Sequence, residues 1–269
     1  MEVARLIAPV QHYGWGSREA IPRLMGRPPD GRPWAEVWMG AHPRAPARLV
    51  RGGAGEGDGA GGGAGDPLDR VIADRPEQVL GAEVHARFGA RLPYLFKVLA
   101  ADRPLSIQCH PDAEAARRGF AREEERGVAR DAPERTYRDA SHKPELIAAL
   151  GRFEALVGFR APEEIRRHLA GAAARALAGP LAALDGGGLE GMFRALMALS
   201  PPEAEAAVGE AAAALAGAPG PEAAWVRRLA AAFPRDPASL APLYLNHVEL
   251  AADQALYLGA GLLHAYLGG

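Results

Sequence analysis

Leu92-Pro93-Tyr94-Leu95-Phe96-Lys97-Val98-Leu99 and, shortly after it, Ser106-Ile107-Gln108-Cys109-His110-Pro111-Asp112 decide how this chain folds. In the first stretch Tyr94, Phe96 and Val98 alternate against Leu95 and Lys97, the pattern of a largely buried strand. In the second, a period of two puts Ser106, Gln108 and His110 on one face and Ile107 and Cys109 on the other. Cys109 is expected to be a small buried filler. Outward from this pair, Gly14, Gly16, Pro22, Gly26, Pro28, Pro29, Pro33, Gly40, Pro43 and Pro46 punctuate short apolar runs such as Ala35 to Met39. Many short strands with such punctuation predict a sandwich or barrel.

The character changes near Ala161. Pro162 followed by Glu163 and Glu164 marks a helix start, with acids where the helix dipole favours them. Ser200, Pro201 and Glu203 form a capping-box pattern, with a helix end expected at Gly217. A further helix is expected from Pro221 to before Pro234, with Trp225, Leu229 and Phe233 on its core face. After Pro242 two strands are expected, Tyr244 to Leu250 and Ala255 to Leu258, around a turn at Ala251 to Gln254. Asp66 and Pro67 predict the start of a short helix whose apolar face is Leu68, Val71 and Ile72. The expected organisation is a β domain over residues 1–160, a helical insertion over 161–235, and strands over 236–269 that return to the β domain. The Gly-rich stretch 52–65 is expected to be a surface loop; no Gly-Lys-Ser/Thr follows it, so it is not a phosphate-binding P-loop.

The chain has 269 residues, 48% of them hydrophobic, enough for a sizeable core. A formal net charge of -2 gives no cationic excess for a nucleic-acid backbone. The single cysteine excludes an intrachain disulfide and suits a reducing compartment. Met1 to Val10 lacks a basic region followed by a long apolar stretch, and no run is apolar enough for a membrane span. A cytoplasmic protein without signal peptide is the expectation.

Ser106, Gln108 and His110 on one face suit either a polar site or a solvated strand end entering a turn. Ser141-His142-Lys143-Pro144-Glu145-Leu146 is the second feature: Pro144 biases Lys143 towards an extended conformation, so Lys143 and Glu145 would point one way and His142 the other. An exposed Lys–Glu pair is the plainer alternative. His264 sits in the mostly apolar run Gly261 to Leu267. Together Gln108, His110, Glu145 and His264 supply two imidazoles, a carboxylate and an amide oxygen, a donor set for a borderline divalent cation such as Zn²⁺.

These segments resemble the signatures of type I phosphomannose isomerases. The resemblance also covers Val10 to Ser17, Ala20 to Pro22, Trp34 to Pro43, the passage of Leu92 to Leu99 into Ser-Ile-Gln-x-His-Pro-Asp, Asp139 to Glu145, and His264-Ala265-Tyr266-Leu267, all in the family's order. It implies a cupin-type (jelly-roll) β-barrel with a helical domain. It implies one Zn²⁺ per chain on Gln108, His110, Glu145 and His264, and interconversion of mannose 6-phosphate and fructose 6-phosphate through an enediol. Lys143 and His142 would be catalytic, His142 in ring opening; Lys97 and Ser106 would bind substrate. The partner implied is a small sugar phosphate, with no nucleic acid or membrane, and the protein is expected to be a monomer. Relatives continue with an acidic segment, a Ser-Asp-Asn and arginine motif and a second barrel, which this sequence lacks. A non-catalytic zinc-binding cupin module is therefore the alternative expectation.

Overall fold

Close backbone approach, rather than a large core, organises the first part of the chain. The computed structural model describes residues 4–50 and 65–269, so the Gly-rich stretch 52–65 lies outside the described residues except for Gly65. Two compact units divide between Arg103 and Pro104. In the first, strands β1 (Arg5–Ile7), β2 (Val10–Gln11), β3 (Glu36–Met39), β4 (Arg48–Val50), β5 (Asp66–Pro67) and β6 (Phe96–Leu99) form two antiparallel sheets, ordered β1-β4-β5 and β2-β3-β6. Helices α1 (Ala20–Leu24), α2 (Leu68–Asp74), α3 (Pro76–Leu80) and α4 (Ala82–Phe88) complete the unit. Ile21, Trp34, Val37 and Ala100 are its buried centre. Gly16 lies against Ala35 so tightly that a Cβ there would sit 2.5 Å from backbone atoms, so no other residue fits without a shift.

Two expectations are corrected in this unit. The stretch 92–99 is not largely buried: only Phe96–Leu99 forms a strand, and Tyr94 and Phe96 are exposed. Strand β6 is at the sheet edge, and Pro93 cannot donate to a ladder. Asp66 does not cap α2; it pairs across Leu49 in β5, and Pro67 takes the cap position. Leu68, Val71 and Ile72 are buried as expected.

The second unit holds β7 (Gln108–Cys109), β8 (Glu145–Ala148), β9 (Phe153–Phe159), β10 (Leu245–Leu250), β11 (Ala255–Leu258) and β12 (Leu263–Gly268). A four-stranded antiparallel sheet runs β10-β9-β12-β7, and among the described residues β8 pairs with β11 alone. The turn between β10 and β11 therefore sends them to different sheets. It is fastened by Gln254, whose side-chain oxygen accepts the Ala251 N–H, and by Asp253 at φ 67°. Helix α5 (Ala113–Glu125) follows β7; α6 (Pro162–Ala173), α7 (Ala178–Met197), α8 (Pro201–Ala214), α9 (Pro221–Ala232) and α10 (Ala241–Tyr244) form the helical block. The helix α8 stops short of Gly217, capped at Leu215.

Alternation gives the four-stranded sheet two different faces. Leu156 on β9, Leu245 on β10, and Ala265 and Leu267 on β12 share one core with Ile165, Leu169 and Leu196 of the helices. His264 and Tyr266 alternate with those β12 residues, so they take the other face. Among the aromatics expected in the helical core, Trp225 and Leu229 are buried but Phe233 is 45% exposed. It stands at the C-cap of α9 with non-helical dihedrals, which carries it off the helix face. Cys109, exposed rather than buried, lies on β7, the edge strand of its sheet.

The capping box at the start of α8 is present, with the Glu203 carboxylate accepting from Ser200 N–H at 2.8 Å and Ser200 Oγ–H at 2.6 Å. Ser200→Ala should cost about 1 kcal/mol of stability, read as a lower urea midpoint at unchanged slope.

Candidate metal centre

Three strands from two sheets bring their chemistry to one place. His264, on the face of β12 turned from the helices, pairs directly across from Gln108 on β7 and Val157 on β9. His110 follows β7 at once, its carbonyl accepting the Gly261 N–H at 2.8 Å. Glu145 opens β8, opposite Leu258 of β11.

The donor atoms of His110, Glu145 and His264 all lie within 4.8 Å of one another. His110 Nε2 is 3.1 Å from Glu145 Oε1, and His264 Nε2 is 3.7 Å from Oε2. The imidazole centroids are 5.2 Å apart. His264 Nδ1 lies 2.8 Å from the Leu262 carbonyl. A carbonyl only accepts, so the proton sits on Nδ1 and the Nε2 lone pair faces the cluster. That Nε2 is buried and has no hydrogen-bond partner among the described residues. Buried polar atoms are nearly always satisfied, and a buried imidazole lone pair beside a carboxylate is what a divalent cation would satisfy.

Glu145 is tuned to stay an anion. Burial alone would raise its pKa, but hydrogen bonds from His110 and Tyr266 outweigh burial and hold it from 4.5 down to about 2. Tyr266 O–H donates to Glu145 Oε2 at 2.5 Å. Burial first, then this carboxylate, pushes the phenol well above its ordinary range, so it stays a donor. Tyr266 thus orients Glu145 as Leu262 orients His264, the outer-shell arrangement that metal ligands require. The sequence reading missed Tyr266; the signal was its place two residues after His264 on one strand face. The residues present fit a metal: two neutral-imidazole nitrogens, one carboxylate, and Gln108 placed opposite His264.

The other expected site residues make contacts of their own or are exposed. Lys143 pairs with Asp139 at 3.4 Å, both half-exposed. His142 and Ser106 are exposed. In the first unit Lys97 Nζ donates to Glu36 Oε1 at 2.7 Å, while Glu36 Oε2 accepts Trp38 Nε1–H at 2.6 Å. Glu36 is 5% exposed, so Lys97 is held from below by a buried carboxylate. Sequence reasoning missed Glu36; cross-strand pairing of Lys97 with Trp38 and Leu99 with Glu36 is what brings the two together.

Comparison with known proteins gives concordant matches. A family profile described as "Phosphomannose isomerase type I, catalytic domain" matches residues 3–162. The mannose-6-phosphate isomerase of Escherichia coli (strain K12) is 39% identical over 270 residues, covering 98% of this chain and 66% of its own length. That of Salmonella typhimurium is 38% identical with the same coverage. A zinc-bound crystal structure of mannose 6-phosphate isomerase superposes with a TM-score of 0.87 at 36% identity, covering 99% of this chain and 66% of that one. A Salmonella typhimurium structure bound to fructose 6-phosphate and zinc gives 0.86 at 37% identity, again with 66% of that chain covered. The fold is the expected one, cupin-like β sheets with a helical part, and the chain spans about two thirds of the length of these relatives.

Proposed function

Since the chain belongs to the type I phosphomannose isomerase family, we propose that it is a zinc-dependent aldose–ketose isomerase interconverting mannose 6-phosphate and fructose 6-phosphate. The convergence of His110, Glu145 and His264 is the observation that carries this reading. Gln108, His110, Glu145 and His264 would hold one Zn²⁺ per chain. When bound, the ion supplies Lewis-acid polarisation of the open-chain sugar carbonyl.

The chain's own side chains do the rest. The reaction moves one proton between C1 and C2 through an enediol, so both carbons must be held in fixed geometry while water is kept off. Lys97, set by Glu36, offers a fixed ammonium to the phosphate, and Ser106 offers a hydroxyl donor. Lys143 steadies negative charge as the enediol forms, exchanging its exposed partner Asp139 for substrate. His142, exposed two residues before Pro144, assists ring opening as acid and base. The protein acts on a free sugar phosphate in the cytoplasm as a monomer, without nucleic acid or membrane. Among the described residues no helix is long and apolar enough to cross a membrane.

A second reading keeps the same cluster without the reaction: a zinc-binding module that holds sugar phosphate without turnover. One set of measurements separates them. Conversion of fructose 6-phosphate that stops with a chelator and returns with Zn²⁺ supports the isomerase; chelator-insensitive turnover overturns the metal reading. About one zinc per chain and calorimetric sugar-phosphate binding without turnover selects the module.

A further inference from the structure

His110 and Glu145 are 35 positions apart in sequence, yet their side chains meet. The path between them is closed by a device that the reaction does not explain. Helix α5 begins directly after His110: the Asp112 carboxylate caps it, accepting the Ala115 N–H at 2.7 Å. Past Glu125 the chain turns back, and residues 136–144 reach Glu145 with no helix or strand of their own.

Arg135 fastens that return onto α5. Its side chain has no exposed surface. Its Nε–H donates to Tyr137 O at 2.8 Å and a terminal nitrogen donates to Val128 O. The guanidinium lies 3.3 Å from Glu123 and 2.7 Å from Glu124, with the Phe120 ring 5.0 Å beneath it. Glu123 completes the lock by accepting the backbone N–H groups of Thr136 at 3.1 Å and Tyr137 at 2.7 Å. Gly119 leaves the room: a Cβ there would sit 2.5 Å from the Tyr137 ring, which lies flat on the helix backbone.

Buried ion pairs are poor sources of net stability, and their best-attested use is to select one arrangement over others. Here the arrangement selected is the placement of the segment that delivers Glu145. The ladder that Glu145 enters, β8 with β11, is two-stranded, and such a pair is marginal unless something else holds it. We infer that Arg135 and Glu123 are positioning residues for the metal cluster: they lock Thr136 and Tyr137, the head of the segment that leads to Glu145, to the helix that starts beside His110, and so fix the His110–Glu145 separation on which cation affinity depends. This inference rests on the zinc reading above.

The test uses the full chain with Arg135→Met and Glu123→Gln, and Arg130→Ala as the control, an exposed partner of Glu124 on the same return. Zinc affinity is measured by chelator competition, and amide exchange of peptides spanning 136–148 by mass spectrometry without metal. The lock predicts a roughly 10–100-fold loss of zinc affinity, the range seen when groups that orient metal ligands are removed. It also predicts faster exchange confined to 136–148, an altered Co²⁺ absorption spectrum, and no change in the control. A variant that unfolds cooperatively yet keeps wild-type zinc affinity and Co²⁺ spectrum overturns the inference, since a merely structural pair would lower only the melting temperature. Should Arg135→Met fail to fold, Glu123→Gln, which keeps the shape and one acceptor oxygen, carries the same test. A wild-type chain that takes up no zinc sinks the metal reading; the lock is then judged on exchange alone, and unchanged exchange over 136–148 sinks it too.

Discussion

Glu145→Ala lowers zinc affinity several hundredfold, measured by competition with a chromophoric chelator. Closed zinc sites bind with apparent free energies of about 10–16 kcal/mol, so one ligand in four carries roughly 2.5–4 kcal/mol. Glu145 should stand at the upper end, because it is the one anion in the set and it touches both imidazoles. Its loss also strands the Tyr266 hydroxyl, 8% exposed as a residue, without its acceptor. Glu145→Gln keeps an acceptor for Tyr266 but not the charge, so it should restore folding more than metal binding. Acid behaviour follows from the same residue. Its pKa is depressed on folding, so the stability that Glu145 contributes to the metal-free chain is fully present above about pH 4.5 and is lost as pH falls towards 2. Melting temperatures of wild type and Glu145→Gln should therefore converge across that window; a constant difference would show that the carboxylate contributes nothing by its charge.

Leu156→Ala is expected to destabilise the protein by about 2–5 kcal/mol, read from urea unfolding at constant slope. Leu156 is 1% exposed and lies where β9 meets the helices, in the core that includes Ile165, Leu169 and Leu196. Because sheet and helices share that core, the helical block should not survive as a separately melting body. Far-UV helix signal and Trp225 fluorescence should fall in one transition. Trp225 is a suitable reporter: its Nε1–H donates to Glu154 Oε1 at 2.9 Å, on the same carboxylate that His247 Nε2 approaches at 3.0 Å, which ties α9 to β9 and β10. A second, independent helix transition would mean that the block has a core of its own.

Much of the candidate site was legible because its residues lie in short stretches that a dry core would not choose. Gln108 and His110 stood out as polar alternates, and His264 as an imidazole in an apolar run. What the sequence could not carry was convergence: β7 pairs with β12 far along the chain, and Glu145 of β8 reaches both through its side chain, which local periodicity does not encode. Tyr266 was read only as part of a motif, because a buried phenol looks like core until its hydroxyl finds Glu145. The helix starts at Pro162, Ser200 and Pro221 were legible, since proline, cap and acid act within one turn. Exposure was the weak point. Cys109, Phe96 and Phe233 each sit at an edge or an end, and alternation assigns a side without saying whether anything covers it. Arg135 was invisible for a different reason: in a chain rich in arginine nothing local marks an arginine whose side chain is wholly enclosed.

Strand β12 hands imidazole and phenol to one side and alanine and leucine to the other, with a break in its pairing to β9 only after Tyr266. Sliding it by a single residue would drop His264 into oil and offer Ala265 in its place. A correctly aligned strand and a competent cation trap are therefore one and the same event during folding, so uptake of a coloured ion such as Co²⁺ can serve as a stopwatch for when that alignment is reached.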